Sequence, residues 1–179
     1  MSNRQNTCKC SNRVPRCPCQ NPSRPCNCPP RRQFRCPCPP ELGGIQAQLR
    51  SARNVYLNDQ ESVVFDIISR RTIRDITYHR DTGKFCLRER GNYLINWDVA
   101  VEGSYHRPFV RFSLLADNIV TDSSTLPVTV GQISGTSLLT VKNAPIELSL
   151  INDTDDIVQL SGFTPVANIT ITKISSDCL

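Results

Sequence analysis

The 179-residue sequence has only two histidines, one tryptophan and no apolar run of 18 residues. A membrane-spanning helix needs a run of about that length, so we expect no membrane partner. Residues 1–7 are polar and begin no apolar signal core, which predicts a chain made in the cytosol without a signal peptide. His79 and His106 lie in no ligand or nucleophile motif and are interpreted as exposed strand-end or loop residues. We therefore predict no enzymatic activity and no cofactor.

Residues 1–40 lack acidic side chains and contain eight basic residues and nine of the thirteen prolines. The remaining residues, 41–179, hold thirteen basic and sixteen acidic residues, so a segment of charge +8 precedes one of charge −3. So many prolines exclude a helix or a central strand, and an extended, polyproline-like arm is predicted. Because Phe34 is its one aromatic residue for base stacking, we favour steering onto an acidic neighbouring head over nucleic-acid binding.

The arm carries eight of the ten cysteines in four Cys-x-Cys pairs whose first members step by nine, nine and ten residues. The pairs are Cys8/Cys10, Cys17/Cys19, Cys26/Cys28 and Cys36/Cys38. Polyproline II turns once every three residues, so a nine-residue step keeps successive pairs on one side of the arm. Apolar neighbours are almost absent, so these cysteines are not core thiols. They indicate either disulfide cross-links or metal ligation.

Two chemistries are open to the cysteine pairs. A disulfide within one Cys-x-Cys pair would close a strained ring, which favours bonds between chains or between distant positions. Cys-x-Cys is also a chelating arrangement, and four thiolates make a closed zinc site. Zinc modules usually space their pairs as Cys-x2-Cys, so disulfides are the favoured interpretation.

A change in composition at Glu41-Leu42-Gly43-Gly44 ends the proline-rich segment. Glycine reaches backbone angles that other residues avoid, so Gly43 and Gly44 are predicted to form a hinge. The expected organisation is an arm over residues 1–44 and one domain over residues 45–179, long enough for a single core.

Alternation of apolar and polar residues predicts an all-β domain. Tyr93–Val101 alternates over nine residues and reads as a half-buried strand with Trp97 facing the core. Further strands are predicted at Val110–Leu114, Leu126–Val130, Leu138–Val141, Ile146–Leu150 and Ala167–Ile171. Turns are predicted at 81–83, 90–91, 102–103, 116–118, 143–145 and 152–156, and a short helical turn at Gln46–Arg53. Many short antiparallel strands at this spacing are typical of a jelly-roll sandwich.

The acidic loop with Asp153, Asp155 and Asp156 lacks the ligand spacing and glycine of a calcium loop. It is interpreted as a solvated turn.

Two groups of motifs carry a resemblance to known proteins. Residues 76–85 followed by 91–97 resemble the Gly-x-Phe and Gly-x-Tyr signature of the tumour-necrosis-factor/complement-q-type jelly roll. Residues 131–135, 146–152 and 167–174 resemble the C-terminal head of the collagen-like exosporium glycoproteins of Bacillus-group spores. The resemblance covers roughly residues 55–175 and implies a head that forms tight trimers with chain termini gathered near one end. The chain has no collagen Gly-x-y repeat, and the cysteine arm stands in its place.

Two cysteines of the domain are expected partners for the arm. Cys86 alternates with Phe85 and Leu87 and should face outward, and the resemblance places Cys178 close to where the arm departs. Bonds within one trimer and bonds to the next trimer, which would build a fibre, both remain open.

The sequence therefore predicts a structural subunit of a spore-surface fibre, appendage or coat layer, in which homotrimers polymerise through their arms and are locked by disulfides. Other exosporium or coat proteins are possible partners. The alternatives are a trimeric adhesin head held by the arm, and a metal-binding arm.

Overall fold

A computed structural model of the chain describes residues 43–50, 56–127, 130–162 and 165–175. The chain divides into two units at Cys38–Pro39, and all described residues belong to the second unit. Over the described ranges the regular structure is twelve β-strands and no helix, and thus no helix that could cross a membrane. The predicted extended arm lies outside these ranges.

The strands form two antiparallel sheets. In chain order they are β1 (Gly43–Leu49), β2 (Tyr56–Leu57), β3 (Ile67–Arg71), β4 (Ile76–His79), β5 (Lys84–Leu87), β6 (Gly91–Ser104), β7 (Val110–Ala116), β8 (Ile119–Leu126), β9 (Gly131–Val141), β10 (Ile146–Asn152), β11 (Val158–Leu160) and β12 (Ala167–Ser175). Sheet A has the order β2-β11-β6-β12-β1-β3, with β9 also paired to β6, and sheet B has the order β4-β5-β10-β7-β8. This is a jelly-roll sandwich, which confirms the predicted fold class.

Strand β6 organises sheet A. Its odd-numbered residues from Tyr93 to Val101 are buried, and its neighbours are β12 and β9, with Ile169 and Gly135 opposite Trp97. A Cβ atom at Gly135 would lie 2.5 Å from the Trp97 ring, so the glycine makes room for the indole. The indole N–H donates to Asp122 Oδ2 at 3.3 Å. The predicted strand and the core position of Trp97 are both confirmed.

Aromatic side chains from sheet B and the segment that leads to β3 fill the space between the sheets. Phe65, Phe85 and Phe112 are fully buried. The ring centroid of Phe85 lies 4.6 Å from that of Tyr78 and 5.8 Å from that of Phe65. Aromatic rings and aliphatic side chains fill this core, so burial of apolar surface stabilises the head.

Two predicted turns contain residues with positive φ. Asp117 and Asn118 have φ of 49° and 64° and join β7 to β8 as a two-residue hairpin, for which such angles are required. Gly83, with φ of 69°, ends the turn between β4 and β5.

Three local predictions are wrong. Glu102–Gly103 lies inside β6, where the register with β11 shifts, so the glycine belongs to a bulge. The strand predicted at Leu126–Val130 is instead β8, which ends at Leu126 before Pro127. The helical turn predicted at Gln46–Arg53 is the strand β1 as far as Leu49, because its alternate residues are buried between two neighbouring strands. Tertiary burial overrides helix propensity there.

Candidate functional site

Cys86 lies in β5, between β4 and β10. Phe85 and Leu87 on either side are fully buried, whereas Cys86 is partly exposed on the outer face of sheet B. This is the outward placement that the alternation predicted. The thiol is free, so it is sterically accessible from outside the sandwich.

The surroundings of Cys86 are polar. Its register partners are Thr77 in β4 and Glu147 in β10. Lys84 Nζ, two residues before the cysteine on the same strand, donates to Glu147 Oε2 at 2.8 Å. That hydrogen bond lowers the pKa of Glu147. An ion pair therefore borders the thiol, while the Thr77 hydroxyl is buried without a hydrogen-bond partner.

The other predicted cross-linking residues lie outside the described ranges. They are Cys8, Cys10, Cys17, Cys19, Cys26, Cys28, Cys36, Cys38 and Cys178. The described strands nevertheless fix where the chain enters and leaves the sheet, because Gly43 at the start of β1 pairs with Lys173 near the end of β12. The chain therefore enters β1 and leaves β12 at the same end of sheet A, which we call the terminal end.

Gly43 and Gly44 are sheet residues, and the expected hinge does not lie there. The Gly44 N–H donates to Thr72 Oγ1 at 2.8 Å, and its carbonyl accepts from the Thr72 N–H at 2.9 Å. A Cβ atom at Gly44 would collide with the carbonyl oxygen of Ile171. Both glycines thus allow close strand packing, and the sheet begins two residues before the predicted domain boundary.

A cluster of exposed aromatic and apolar side chains lies at the opposite end of the sandwich. Tyr56 is 45% exposed, Tyr105 is 58% exposed and Ile157 is 39% exposed. The two tyrosine rings have centroids 5.9 Å apart, and the Tyr105 N–H donates to the Ile157 carbonyl at 3.3 Å. A hydrogen bond with Tyr56 raises the pKa of Tyr105. We call Tyr56, Tyr105 and Ile157 the tyrosine patch.

Three carboxylates from two turns lie next to the tyrosine patch and form an acidic rim: Asp59, Asp155 and Asp156. The turns are joined by the Asp155 N–H, which donates to Asp59 Oδ1 at 2.8 Å, and by Gln60, whose amide donates to Asp153 Oδ1 at 2.9 Å. Arg107 forms an ion pair with the exposed Asp155. Three carboxylates against this one arginine leave the rim acidic.

Asp156 is the most strongly bound carboxylate of the rim. The Ser104 hydroxyl and the His106 N–H both donate to Oδ2 at 2.5 Å. The bond from Ser104, followed by those from His106, holds the pKa of Asp156 well below its usual range. Asp156 is therefore ionised at neutral pH. These hydrogen bonds hold the loop in place, so it is not simply the solvated turn that the sequence predicted. No group of potential metal ligands occurs among the described residues.

The sequence analysis missed the tyrosine patch because its members are distant along the chain. Tyr56 and Tyr105 are 49 positions apart, and β11 brings them together by pairing with β2 on one side and β6 on the other. The two-residue strand β2 is too short to leave a periodic signal. His106, predicted to lie in an exposed loop, is indeed exposed beside Tyr105.

A row of side-chain amides crosses the outer face of sheet A. Gln48 donates to Asn168 at 2.7 Å, and Asn168 and Gln132 both donate to Asp98 at 3.0 Å. The row joins β1, β12, β6 and β9, so polar side chains on this face are largely paired with one another.

The fold is a jelly roll of the kind seen in tumour-necrosis-factor and complement-1q domains. No protein family model and no curated protein matches the sequence. Among solved structures, the chain is similar to the Eiger TNF from S. frugiperda, with 14% identity, a TM-score of 0.61, and coverage of 77% of this chain and 95% of that one. The globular domain of zebrafish complement 1qA is 14% identical, with a TM-score of 0.54 and coverage of 76% and 100%. Murine APRIL at pH 8.5 is 8% identical, with a TM-score of 0.55 and coverage of 75% and 100%. At these identities the likeness establishes the fold alone.

Proposed function

We propose that this chain is a non-catalytic structural subunit that self-associates through its jelly-roll head and is cross-linked by its cysteines into a spore-surface fibre, appendage or coat layer. The observation that carries the proposal is that the cysteines lie outside the apolar core of the head. Eight cysteines lie within residues 8–38, whereas the head buries a continuous apolar core and has a free thiol on its outer surface. The head does not need the arm's cysteines for its core, so they are available to join chains.

Self-association into trimers is supported by the jelly-roll fold and by the motif resemblance to exosporium heads, which also supports the spore-surface location. The shared terminal end adds to this support. If three heads associate with their terminal ends together, three arms start from neighbouring points, and each cysteine level of the arm supplies six thiols.

The register of β1 and β12 suggests which thiols are closest in reach. Cys38 and Cys178 are each five residues beyond the Gly43–Lys173 pair. Five extended residues reach roughly 17 Å, so Cys36 and Cys38 are better partners for Cys178 than the earlier cysteines are. Cys86, on sheet B, is then the acceptor for the cysteines nearer the N-terminus of an arm.

The test is oxidation of the purified full chain under conditions in which the reduced protein is soluble. We expect regular fibres by electron microscopy and a ladder of oligomers on non-reducing gels, both reversed by reductant. Replacing the eight arm cysteines with serine should abolish the ladder, and Cys86→Ser should shorten it. Trimers that never elongate on oxidation would contradict the proposal.

The same preparation separates the alternatives. Dissociation by a chelator without reductant would establish a metal-binding arm in place of disulfides. The adhesin alternative has one supporting observation, the exposed tyrosine patch. The adhesin alternative requires trimers that stay discrete after oxidation, which the same electron microscopy would show.

A further inference from the structure

The tyrosine patch is an exposed aromatic surface that the folding of the head does not use. Tyr93 is fully buried and Tyr78 is half-buried, whereas Tyr56 and Tyr105 present tilted rings to solvent at one end of the sandwich. Adjacent exposed rings with an acidic border are characteristic of a binding surface.

We propose that the tyrosine patch binds the proline-rich part of the arm, residues 11–40, from another copy of this chain. The inference rests on the proposed function and adds a noncovalent docking step that precedes the disulfides. Three features support this occupant: the spacing of its prolines, its charge, and the position of the patch relative to Gly43.

The arm contains prolines with the spacing that aromatic surfaces recognise. Pro15 and Pro18 are separated by three positions, as are Pro22 and Pro25. Polyproline II has three residues per turn and rises about 3.1 Å per residue, so in that conformation each pair would lie on one side of the helix about 9 Å apart. Proline-rich segments of this kind dock on pairs of exposed aromatic rings because they are already extended and lose little entropy.

Charge favours the same occupant. Arg16 and Arg24 lie inside the two Pro-x-x-Pro segments, and residues 1–40 contain no acidic side chain. The rim that borders the patch offers the exposed carboxylates of Asp59 and Asp155. Residues 11–40, with a charge of +6, are therefore attracted to this end of a neighbouring head.

The distance between the patch and Gly43 is compatible with a contact between copies. Gly43 and Lys173 pair at the level of Tyr93, near the start of β6. Tyr105 follows the last residue of the same strand, twelve residues beyond Tyr93, which is about 40 Å at the usual rise of a strand. In polyproline II the 18 to 28 residues between the Pro-x-x-Pro segments and Gly43 would span roughly 56–87 Å, more than the length of one head, so these segments would reach the patch of a neighbouring head. Such head-to-tail contacts repeat without closing and generate a fibre.

The experiment measures binding of a fluorescein-labelled peptide of residues 13–28, with its four cysteines replaced by serine, to the reduced full chain by fluorescence anisotropy. We expect saturable binding to the wild type, weakened about tenfold or more by the double substitution Tyr56→Ser/Tyr105→Ser. Tyr105→Phe keeps the ring and should bind like the wild type. The matched control is Ile119→Ser, which removes a side chain that is 69% exposed on β8 and should leave binding unchanged.

A second peptide, with its four prolines replaced by alanine, keeps every charge and should bind at least about tenfold more weakly. Equal binding of the two peptides would show that attraction is electrostatic alone and would overturn the inference. Equal affinity of the wild type and the double tyrosine variant would overturn it as well. Circular dichroism of each head variant checks that the head is folded in each measurement.

Failure of this inference and failure of the proposed function give different results. If oxidised wild type forms reductant-sensitive fibres and the double tyrosine variant elongates at the same rate, docking at the patch is wrong and the structural role stands. If the peptide binds at the patch but oxidation yields no polymers, the docking site stands and the fibre is wrong.

Discussion

A tyrosine lies at or next to each end of β6, and the two tyrosines differ in their exposure and in their hydrogen-bond partners. Tyr93, at the terminal end, is fully buried, and its hydroxyl donates to the Glu89 carbonyl at 2.8 Å. Tyr105, at the other end, is 58% exposed and bonds another exposed tyrosine. One end of the strand uses its aromatic ring to close the core. The other end leaves its ring to solvent, where it is available to a partner.

The charged residues divide in the same way. Lys173, buried on the inner face of β12, donates to Glu89 Oε2 at 2.5 Å. Arg107, beside Tyr105, pairs with Asp155 on the surface, where both side chains are substantially exposed. The terminal end is thus a packed structural junction at the strand where residues 1–42 join the sheet, while the tyrosine end is an open surface.

Removing each tyrosine ring in turn should give the largest difference in the free energy of unfolding between the two ends. Tyr93→Ala should lower the free energy of unfolding by about 3–5 kcal/mol because it leaves a cavity in the core. Tyr105→Ala should change it by less than about 0.5 kcal/mol because the ring is exposed. Urea unfolding of the two variants under reducing conditions measures both values. Similar losses would mean that Tyr105 is a core residue and that the two ends do not differ.

The ion pairs at the two ends should give a smaller difference in the free energy of unfolding. Lys173→Ala should cost about 1–3 kcal/mol, because a buried side chain loses its packing and its charge-assisted hydrogen bond. Arg107→Ala should cost no more than about 0.5 kcal/mol, since exposed ion pairs contribute little. Lys173→Met, which retains most of the apolar stem, is the matched control and should recover part of the loss in urea unfolding. A larger loss from Arg107→Ala than from Lys173→Ala would reverse the comparison.

These contrasts show which features a sequence can reveal. The alternation from Tyr93 to Val101 predicted the strand and the burial of Trp97, and the alternation of Cys86 with Phe85 and Leu87 predicted its outward direction, because side-chain direction in a strand follows a period of two. The tyrosine patch was invisible because it depends on β2 and β11, strands of two and three residues that leave no periodicity. Gly43 and Gly44 were misread as a hinge because glycine serves both flexible connections and close strand packing, and only the contact with Ile171 distinguishes the two.

Alkaline pH should weaken the terminal end more than the tyrosine end. Burial, with the nearby charges of Glu89 and Asp75, raises the pKa of Tyr93 to about 12. A raised pKa means that the folded state holds the phenol proton more tightly, so this contribution is complete below about pH 10 and is lost as the pH rises toward 12. Tyr93→Phe should lower stability at pH 8 by about 1 kcal/mol through the lost hydrogen bond. It should also flatten the decline above pH 10 in urea titrations, whereas Tyr105→Phe, at an exposed phenol whose pKa is raised chiefly by its hydrogen bond with Tyr56, should flatten it less. An unchanged alkaline slope in Tyr93→Phe would assign the decline to other groups.

Acid pH should weaken the tyrosine end instead, by the smallest of these effects. The hydrogen bonds from Ser104 and His106 depress the pKa of Asp156 below its ordinary value of 3.8. A depressed pKa gives stability that is present above pH 3.8 and lost as the pH falls below it, because the unfolded chain then binds the proton first. Asp156→Asn should therefore flatten the fall in stability between pH 4 and pH 2 in urea titrations. Asp155→Asn, on the same turn but exposed, is the matched control and should retain the fall. If both substitutions gave the wild-type acid slope, the bonds to Asp156 would not brace the turn beneath the tyrosine patch.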